Sequence, residues 1–137
     1  MASFQKFDAF PEAVAEGKHD LGADQLAVAL TNTAPQASDS VLADITEVSY
    51  TGLSSRNLTT TSSSQTSGLY KLVVADLTLT ASGDVGPFRY AVIYNDTATS
   101  DDLIGFYDYG ESITLHAGEE FKMDFDGTAG LLQIEMQ

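Results

Sequence analysis

The chain contains no cysteine and no tryptophan, and only 6 of its 137 residues are lysine or arginine. Without cysteine the protein forms no disulfide bond, no zinc–thiolate site and no thiol nucleophile. The shortage of basic side chains disfavours contact with nucleic-acid backbones, because such contact depends on lysine and arginine releasing counterions from the phosphates. We therefore expect no nucleic-acid partner.

Long apolar runs are also missing. The longest, such as residues 72–75 and 90–94, fall far short of the roughly 20 residues that span a bilayer. The first 18 residues lack the basic region and the unbroken apolar stretch of a secretory signal. The sequence therefore predicts no transmembrane segment, no membrane partner and synthesis in a cytosol.

Acidic residues dominate the charge. There are 20 Asp and Glu, for a net charge of −14, yet the chain is 43% hydrophobic and only 19% charged, which favours one packed domain over residues 1–137. Residues 49–75 contain no carboxylate, only Arg56 and Lys71, whereas residues 95–127 carry nine carboxylates and one lysine. If these segments lie on different faces, the molecule is electrostatically two-sided and oriented on a partner.

The N-terminal segment has helical spacing. Phe4, Phe7, Phe10 and Val14 recur every three or four residues, which predicts a short helix within about residues 4–17. An alternative begins the helix near an Asp8 cap, ends it at Gly17, and leaves residues 3–7 extended.

Period-two patterns follow. In residues 26–31 the large aliphatic side chains alternate with smaller ones, which predicts a strand. Residues 41–50 are a second strand candidate, and residues 73–80 a third, whose odd-numbered positions 73, 75, 77 and 79 form the buried face. Residues 51–68, rich in Ser and Thr, predict either a surface loop or an edge strand that is polar on both faces.

The second half of the chain is denser in strands. Residues 88, 90, 92 and 94 are aromatic or aliphatic on one face and residues 89, 91 and 93 occupy the other, so this strand is central and covered on both sides. Further strands are predicted at residues 103–109, 112–115, 120–125 and 132–136. About eight short strands predict an all-β fold, an antiparallel β-sandwich that is jelly-roll-like or immunoglobulin-like, with a short N-terminal helix.

Catalytic motifs are scarce. The sequence has no Gly-rich phosphate loop and no nucleophile elbow. His19 and His116 are far apart in the sequence, each beside a predicted turn, and we expect both to be solvated. The sequence therefore predicts a protein that is not an enzyme, with no catalytic residues and no cofactor.

Two groups of side chains remain as candidates for binding. Asp124 and Asp126, with Asp101 and Asp102, could supply oxygen ligands to Ca²⁺, but the EF-hand order of ligands is not met, so no metal site is assigned and cation binding stays open. The possible surface aromatic platform for a sugar comprises Tyr94, Tyr107 and Tyr109. Such tyrosines more commonly fill a sheet surface or an interface.

Five segments, in collinear order over nearly the whole chain, resemble a family of small tailed-bacteriophage virion structural proteins. They are residues 22–35, 43–47, 70–73, 86–97 and 103–110. The resemblance implies a non-enzymatic capsid decoration (cement) or tail component and supplies no catalytic residue.

Charge suggests where such a protein sits. A net charge of −14 is repelled by the packed DNA inside a capsid, which favours the outer surface of the head. We therefore expect a decoration protein that binds the major capsid protein as a homo-oligomer, a dimer or trimer, and stabilises the shell. Residues 49–75 would dock, with Arg56 and Lys71 as charge contacts, together with Phe4 and Phe7.

Two alternatives remain at this stage. A tail or head-to-tail joining protein would share the β-rich fold but form a closed ring. A host-carbohydrate or receptor-binding module would instead use the tyrosine platform.

Overall fold

The computed structural model describes residues 3–135, which form one α-helix, a 3₁₀ turn and nine strands. Met136, predicted in the last strand, lies outside this range. The elements are β1 (Phe4–Lys6), α1 (Phe10–Ala15), β2 (Leu26–Thr31), β3 (Thr60–Thr66), β4 (Leu69–Val74), β5 (Leu77–Thr80), β6 (Val85–Asn95), β7 (Leu103–Leu115), β8 (Glu120–Met123) and β9 (Leu132–Glu135), with the 3₁₀ turn at Leu42–Asp44.

The strands form a sandwich of antiparallel sheets, which confirms the predicted fold class. One layer is a four-stranded sheet in the order β1-β7-β6-β2. The other layer is divided into a three-stranded sheet, β3-β4-β9, and a two-stranded sheet, β5-β8. The larger hydrophobic cluster contains side chains from β2 and β6 together with side chains from β4, β5, β8 and β9, so it fills the space between the layers.

Strands β2 and β6 are both covered on both faces, as the sequence predicts for β6. Leu26, Val28 and Leu30 belong to the larger cluster, and Ala27 and Ala29 belong to a smaller one. This smaller cluster covers the outer face of the four-stranded sheet with Phe7, Ile45 and Leu42. A strand that is apolar on both faces is therefore buried on both.

One face assignment in β6 is wrong. Tyr90, Val92 and Tyr94 share the smaller cluster as expected, but Phe88 joins the larger cluster and lies 5.3 Å from Phe121, ring centroid to ring centroid. The register of β6 against β7 shifts between Phe88 and Tyr90. This irregularity interrupts the alternation of faces on which the prediction depends.

The N-terminal helix is shorter than residues 4–17. Residues 4–6 form β1 and pair with β7, where a Cβ at Gly105 would lie 2.6 Å from the Gln5 carbonyl oxygen. Helix α1 has no side-chain cap, so the Asp8 cap is wrong. Its predicted end is confirmed: Gly17 has φ +77°, and the backbone N–H groups of Gly17 and Lys18 bond the carbonyls of Val14 and Ala13.

The strand predicted at residues 41–50 does not form. The Asp44 carboxylate accepts hydrogen bonds from the backbone N–H groups of Ser40 and Val41, at 2.9 and 3.3 Å, which stabilises the 3₁₀ turn instead. This local side-chain bonding competes with a sheet ladder. The chain then runs along β2, where the Val48 N–H donates to the Leu30 carbonyl.

The strand predicted at residues 73–80 is two strands in two different sheets. The chain leaves β4 after Val74 and enters β5 at Leu77, and between them the Asp76 carboxylate accepts a hydrogen bond from the Phe125 N–H at 2.9 Å. The buried face is consequently Leu72, Val74 and Leu79, whereas Ala75 is exposed.

For residues 51–68 the edge-strand alternative holds over residues 60–66. Among the described strands, β3 pairs only with β4, and its side chains are exposed on both faces except for partly buried Thr60.

Candidate functional site

Phe4 and Phe7, both predicted to contact a partner, have different environments. Phe7 is 1% exposed and packs 5.2 Å from Phe106, ring centroid to ring centroid, so the docking prediction is wrong for Phe7. Phe4 is half-buried on β1, with its ring centroid 5.2 Å from that of Tyr107. Of these two rings, the ring of Phe4 lines a surface depression and the ring of Phe7 does not.

That depression is a groove between β1, β7 and the loop after β8, with a volume of about 420 Å³. We call it the aromatic groove. The ring centroids of Tyr107 and Tyr109 are 6.2 Å apart, and those of Tyr107 and Phe125 are 6.1 Å apart. Its lining comprises Phe4, Tyr107, Tyr109, Lys122, Met123, Asp124, Phe125, Asp126, Gly130 and Leu131. The groove therefore combines aromatic rings with a few charged groups.

The two groove tyrosines are neutral hydrogen-bonding groups. Burial raises the pKa of Tyr109 to about 12 and also raises that of Tyr107. Among residues 3–135, neither hydroxyl has a hydrogen-bond partner, whereas the hydroxyl of Tyr70 bonds Ser63 at 2.7 Å. Both groove hydroxyls can therefore bond to a ligand.

Tyr94 does not lie with the other two tyrosines. It is 5% exposed and belongs to the smaller hydrophobic cluster, so the prediction of a shared surface platform is wrong for Tyr94. The structure places Phe4 and Phe125 beside Tyr107 and Tyr109 instead. The sequence gives no sign of this, because Phe4 belongs to a distant strand and Phe125 alternates with exposed carboxylates.

Arg56 lies against residues of its own chain. Its guanidinium carbon is 3.6 Å from the centroid of the Tyr50 ring, and its Nη1 donates to the Val28 carbonyl at 2.6 Å. Arg56 and Asp96 also line the same depression. These contacts tie Arg56 to the β2 edge, which makes charge reversal at this position a change to the fold as well as to the surface.

Lys71 lies on β4, in the three-stranded sheet. Its Nζ donates to the Thr128 carbonyl at 3.3 Å. Hydrogen bonds from the Ala129 and Thr128 N–H groups lower the pKa of Asp126, and the charge of Lys71 lowers it further. The structure thus separates Arg56 from Lys71 and brings Lys71 near a carboxylate of the acidic segment. Strand β3, by contrast, contains no charged residue.

We call β3 and β4 with their connecting turn at residues 67–68 the hairpin surface. The turn has positive φ at Ser67 and Gly68, and the Gly68 N–H donates to the Gln65 amide oxygen at 3.0 Å. The hydroxyls of Ser62 and Thr66 make no hydrogen bond within residues 3–135 and are exposed. The hairpin surface therefore presents hydroxyl and amide groups, with Lys71 as its charge.

The four aspartates considered as cation ligands belong to two separate loops, one before β7 and one after β8. Asp102 is 8% exposed and lies 3.9 Å from the Lys18 Nζ. Asp126 accepts backbone bonds of 2.8 Å from Thr128 and from Ala129, so it stabilises a turn. Across the described residues, no three His, Asp or Glu side chains lie close enough together to hold a metal ion.

His19 is buried, at 7% exposure, so its predicted solvation is wrong. Its Nδ1 lies 3.0 Å from the Asn95 side-chain nitrogen, and that nitrogen donates to Asp24 at 2.7 Å. His19 Nε2 is buried without a partner in the described residues, and burial lowers the pKa of His19. The sequence contains no signal for this cluster, because Asn95 is 76 residues from His19 and 71 residues from Asp24 along the chain.

His116 is exposed, as predicted, and closes a turn. Its Nδ1 lies 2.9 Å from Asp84, which raises its pKa, and its backbone N–H donates to the Glu119 carboxylate at 2.7 Å. The hydrogen bonds in residues 3–135 include none from a Ser or Thr hydroxyl to this ring.

Within residues 3–135, no helix has the length and apolar character that crossing a membrane requires. Comparisons with protein-family models, with curated proteins and with solved structures give no match. These comparisons therefore assign no family.

Proposed function

We propose that the protein is a non-enzymatic bacteriophage virion structural protein, a capsid decoration protein that binds the outer surface of the head and stabilises the shell. The observation that carries this proposal is the hairpin surface, which contains no carboxylate and includes the exposed strand β3, in a chain whose net charge is −14. The collinear resemblance to phage virion proteins supports it. Because the protein binds only the assembled lattice, it stabilises the shell by mass action.

The hairpin surface supports docking through polar contacts. Six of the seven β3 side chains are exposed, and none is charged. A partner can therefore bind this strand without desolvating a carboxylate, which is the costly step in burying an acidic surface. Lys71 adds one cation next to β3, opposite Ser64.

Phe7 and Arg56 are not part of this docking surface. Phe7 lies in the core, and Arg56 stacks on Tyr50. Docking is thus assigned to β3, β4 and Lys71.

Location in the virion is the first test. Cryo-electron microscopy of intact virions should show a small β-domain repeated over the icosahedral surface, with the hairpin surface towards the shell. Density confined to the tail or to the portal vertex would overturn the decoration function and favour the ring-forming alternative.

A binding assay tests the docking surface. Shells assembled without the protein are mixed with wild type, Lys71→Glu or Lys122→Glu, and the bound fraction is measured by sedimentation. Both variants change the charge by the same amount, but Lys122 lies on β8 in the other small sheet. We expect Lys71→Glu to weaken binding at least about tenfold, the cost of one lost charged contact, and Lys122→Glu to leave it within about twofold. Equal effects would remove the hairpin surface from the interface.

The aromatic groove favours a second candidate function, the binding of a host carbohydrate. Phe4, Tyr107 and Tyr109 offer rings for stacking against a sugar, and both tyrosine hydroxyls lack a protein partner in the described residues. Such a concave site with a few polar groups is typical of small-ligand sites.

A glycan array separates this candidate from a purely structural role. Binding that is lost in the double variant Tyr107→Phe/Tyr109→Phe, and kept in Tyr70→Phe outside the groove, would support it. No binding by the wild type would exclude it.

A further inference from the structure

Strand β3 has an open edge. It pairs with β4 along one side, in the three-stranded sheet β3-β4-β9. Along the other side, the backbone of residues 60–66 has no hydrogen-bond partner in the described residues. The unpaired N–H and C=O groups of such an edge form a template for another strand.

The other long edge is covered by the chain itself. Along β2, the Val28 N–H donates to the Arg56 carbonyl and the Leu58 N–H donates to the Leu26 carbonyl, both at 2.9 Å. Residues 56–58 therefore occupy the place of a neighbouring strand, and β2 is closed to a partner.

Charged side chains protect three other edge strands but not β3. Strand β1 contains Lys6, β8 contains Glu120 and Lys122, and β9 contains Glu135. Charged side chains on an edge oppose pairing with another chain, and proline has the same effect. Strand β3, with the sequence TTSSSQT, has neither. It is the longest of the edge strands. Strand β5, with the sequence LTLT, also has no charge and no proline, but it has only four residues and its Thr80 carbonyl already accepts a hydrogen bond from the Ser54 N–H.

Overall charge selects which partner can use this edge. Two copies of a chain with net charge −14 repel each other over most of their surfaces. Within residues 49–75 there is no carboxylate, so two β3 strands can approach without opposing like charges. Hydroxyl groups both donate and accept hydrogen bonds, which makes a Ser- and Thr-rich strand complementary to itself.

We propose that β3 pairs antiparallel with β3 of a second copy, across a two-fold axis, to form a continuous six-stranded sheet in the order β9-β4-β3-β3-β4-β9. The pairing involves the regular part of the strand, residues 62–66, because the register against β4 shifts between Thr60 and Ser62. With Ser64 at the centre, Ser62 of each copy faces Thr66 of the other. This two-fold contact uses the same patch on both copies, as a closed dimer requires.

The pairing does not rest on the proposed function. Where both hold, the dimer joins two hairpin surfaces into one wider docking face. The experiment uses purified protein without shells, so the decoration function can fail while the dimer stands, and the reverse.

Sedimentation velocity of the wild-type protein over a range of concentrations tests the association. We expect a reversible monomer–dimer equilibrium. Raising the salt concentration from about 0.05 M to about 0.5 M should strengthen it at least about threefold, because salt screens the repulsion between the two acidic bodies. An interface held by ion pairs would weaken instead. A protein that stays monomeric at high concentration and high salt would overturn the proposal.

Two charge variants locate the interface. Ser62→Lys/Thr66→Lys and Ser62→Glu/Thr66→Glu each place like charges across the pair, so each alone should be monomeric, and an equimolar mixture should form a one-to-one heterodimer. The control Thr78→Glu/Thr114→Glu adds the same charge as the second variant at exposed positions of β5 and β7, and it should dimerise like wild type. Dimers of either β3 variant alone would overturn the proposal.

Amide hydrogen exchange of the wild type provides a readout that needs no variant. The backbone N–H groups of residues 62–66 that face the open edge should exchange at least about tenfold more slowly in the dimer than in the dilute monomer. Unchanged exchange at these residues in a dimeric sample would overturn the β3 assignment, even if the variants fail to fold.

Discussion

Strands β6 and β3 show two extremes of the same local conformation. From Tyr90 to Asn95 every side chain of β6 is buried, and this part of the strand lies between β2 and β7. From Thr61 to Thr66 every side chain of β3 is exposed, and the strand lies at an edge. Extended backbone therefore does not decide burial; the side chains and the position in the sheet do.

The comparison separates stability from association. The apolar β6 stabilises the fold because its side chains are removed from water in both hydrophobic clusters. The polar β3 adds little stability through burial, but it has an edge that can pair with another strand. Substitutions should consequently change the free energy of unfolding in β6 and self-association in β3.

The largest expected effect is in the core. Phe88 is fully buried at 0% exposure, and Phe88→Ala should lower the free energy of unfolding by about 3–5 kcal/mol through lost transfer energy and a cavity. The matched change Ser62→Ala in β3 should stay within about 0.5 kcal/mol of wild type. Urea unfolding followed by circular dichroism measures both. Similar losses for the two variants would break the contrast.

The next effect concerns the buried polar end of β6. Asn95, at 0% exposure, donates to Asp24 and accepts hydrogen bonds from the backbone N–H groups of Thr97 and Ala98. Asn95→Ala should cost about 2–3 kcal/mol, because it leaves several polar groups unpaired.

The comparator for Asn95 is Gln65→Ala on β3, which removes one exposed bond to the Gly68 N–H and should have a much smaller effect in the same urea titration. A loss at Asn95 no larger than the loss at Gln65 would show that the buried network does not stabilise the fold.

The edge of β2 offers a finer test. The Tyr50 hydroxyl accepts a hydrogen bond from the Leu30 N–H at 2.9 Å and donates to Glu47 at 2.7 Å. Tyr50→Phe should cost about 1–2 kcal/mol, because a backbone donor of a buried strand loses its partner. In Tyr70→Phe only the bond to exposed Ser63 is lost, and thermal unfolding should barely change. Equal shifts in melting temperature would contradict this assignment.

The smallest effect is a pH dependence beside Asn95. Burial lowers the pKa of His19 below its ordinary value of 6.5, so the unfolded chain takes up a proton first as the pH falls. Its contribution to stability is complete above about pH 6.5 and is lost as the pH falls through the folded pKa. Urea unfolding between pH 8 and pH 5 should show this loss in the wild type and a smaller one in His19→Gln.

His116 supplies the opposite sign. Asp84 raises the pKa of this exposed imidazole above 6.5, so its stabilising contribution is present at low pH and is lost as the pH rises through the folded pKa. In His116→Gln, the free energy of unfolding should therefore fall slightly more steeply as the pH is lowered. A His19→Gln profile that follows the wild type would assign the pH dependence to other groups.

The sequence predicts a strand well where the side chains on both of its faces are of one type, either all apolar or all polar. Residues 26–30 are apolar throughout, and residues 60–66 are polar throughout, so burial on both faces of the first strand and exposure on both faces of the second follow from composition. Prediction fails where a single side chain redirects the backbone. Asp44 forms a turn inside residues 41–50, and a break at Asp76 divides residues 73–80 between two sheets.

The surfaces are predicted less well than the strands. Tyr107 and Tyr109 alternate on one strand, so their shared face is predictable, but their partners Phe4 and Phe125 come from the far ends of the chain. Phe7 and Tyr94 have the residue types of a binding surface and lie in the core. Residue type alone does not distinguish a docking aromatic from a core aromatic, since both have the same hydrophobicity.

The amino-acid sequence by itself determined the all-β class, the strongly acidic charge and the polar character of β3, because alternation, composition and net charge are local properties of the chain. Only the tertiary structure decided that the second layer is divided into two sheets, that His19 is buried against Asn95, and that the edge of β2 is covered while that of β3 is open. These features depend on pairing between segments that are distant in sequence, and a local pattern contains no information about which distant segment becomes the neighbour.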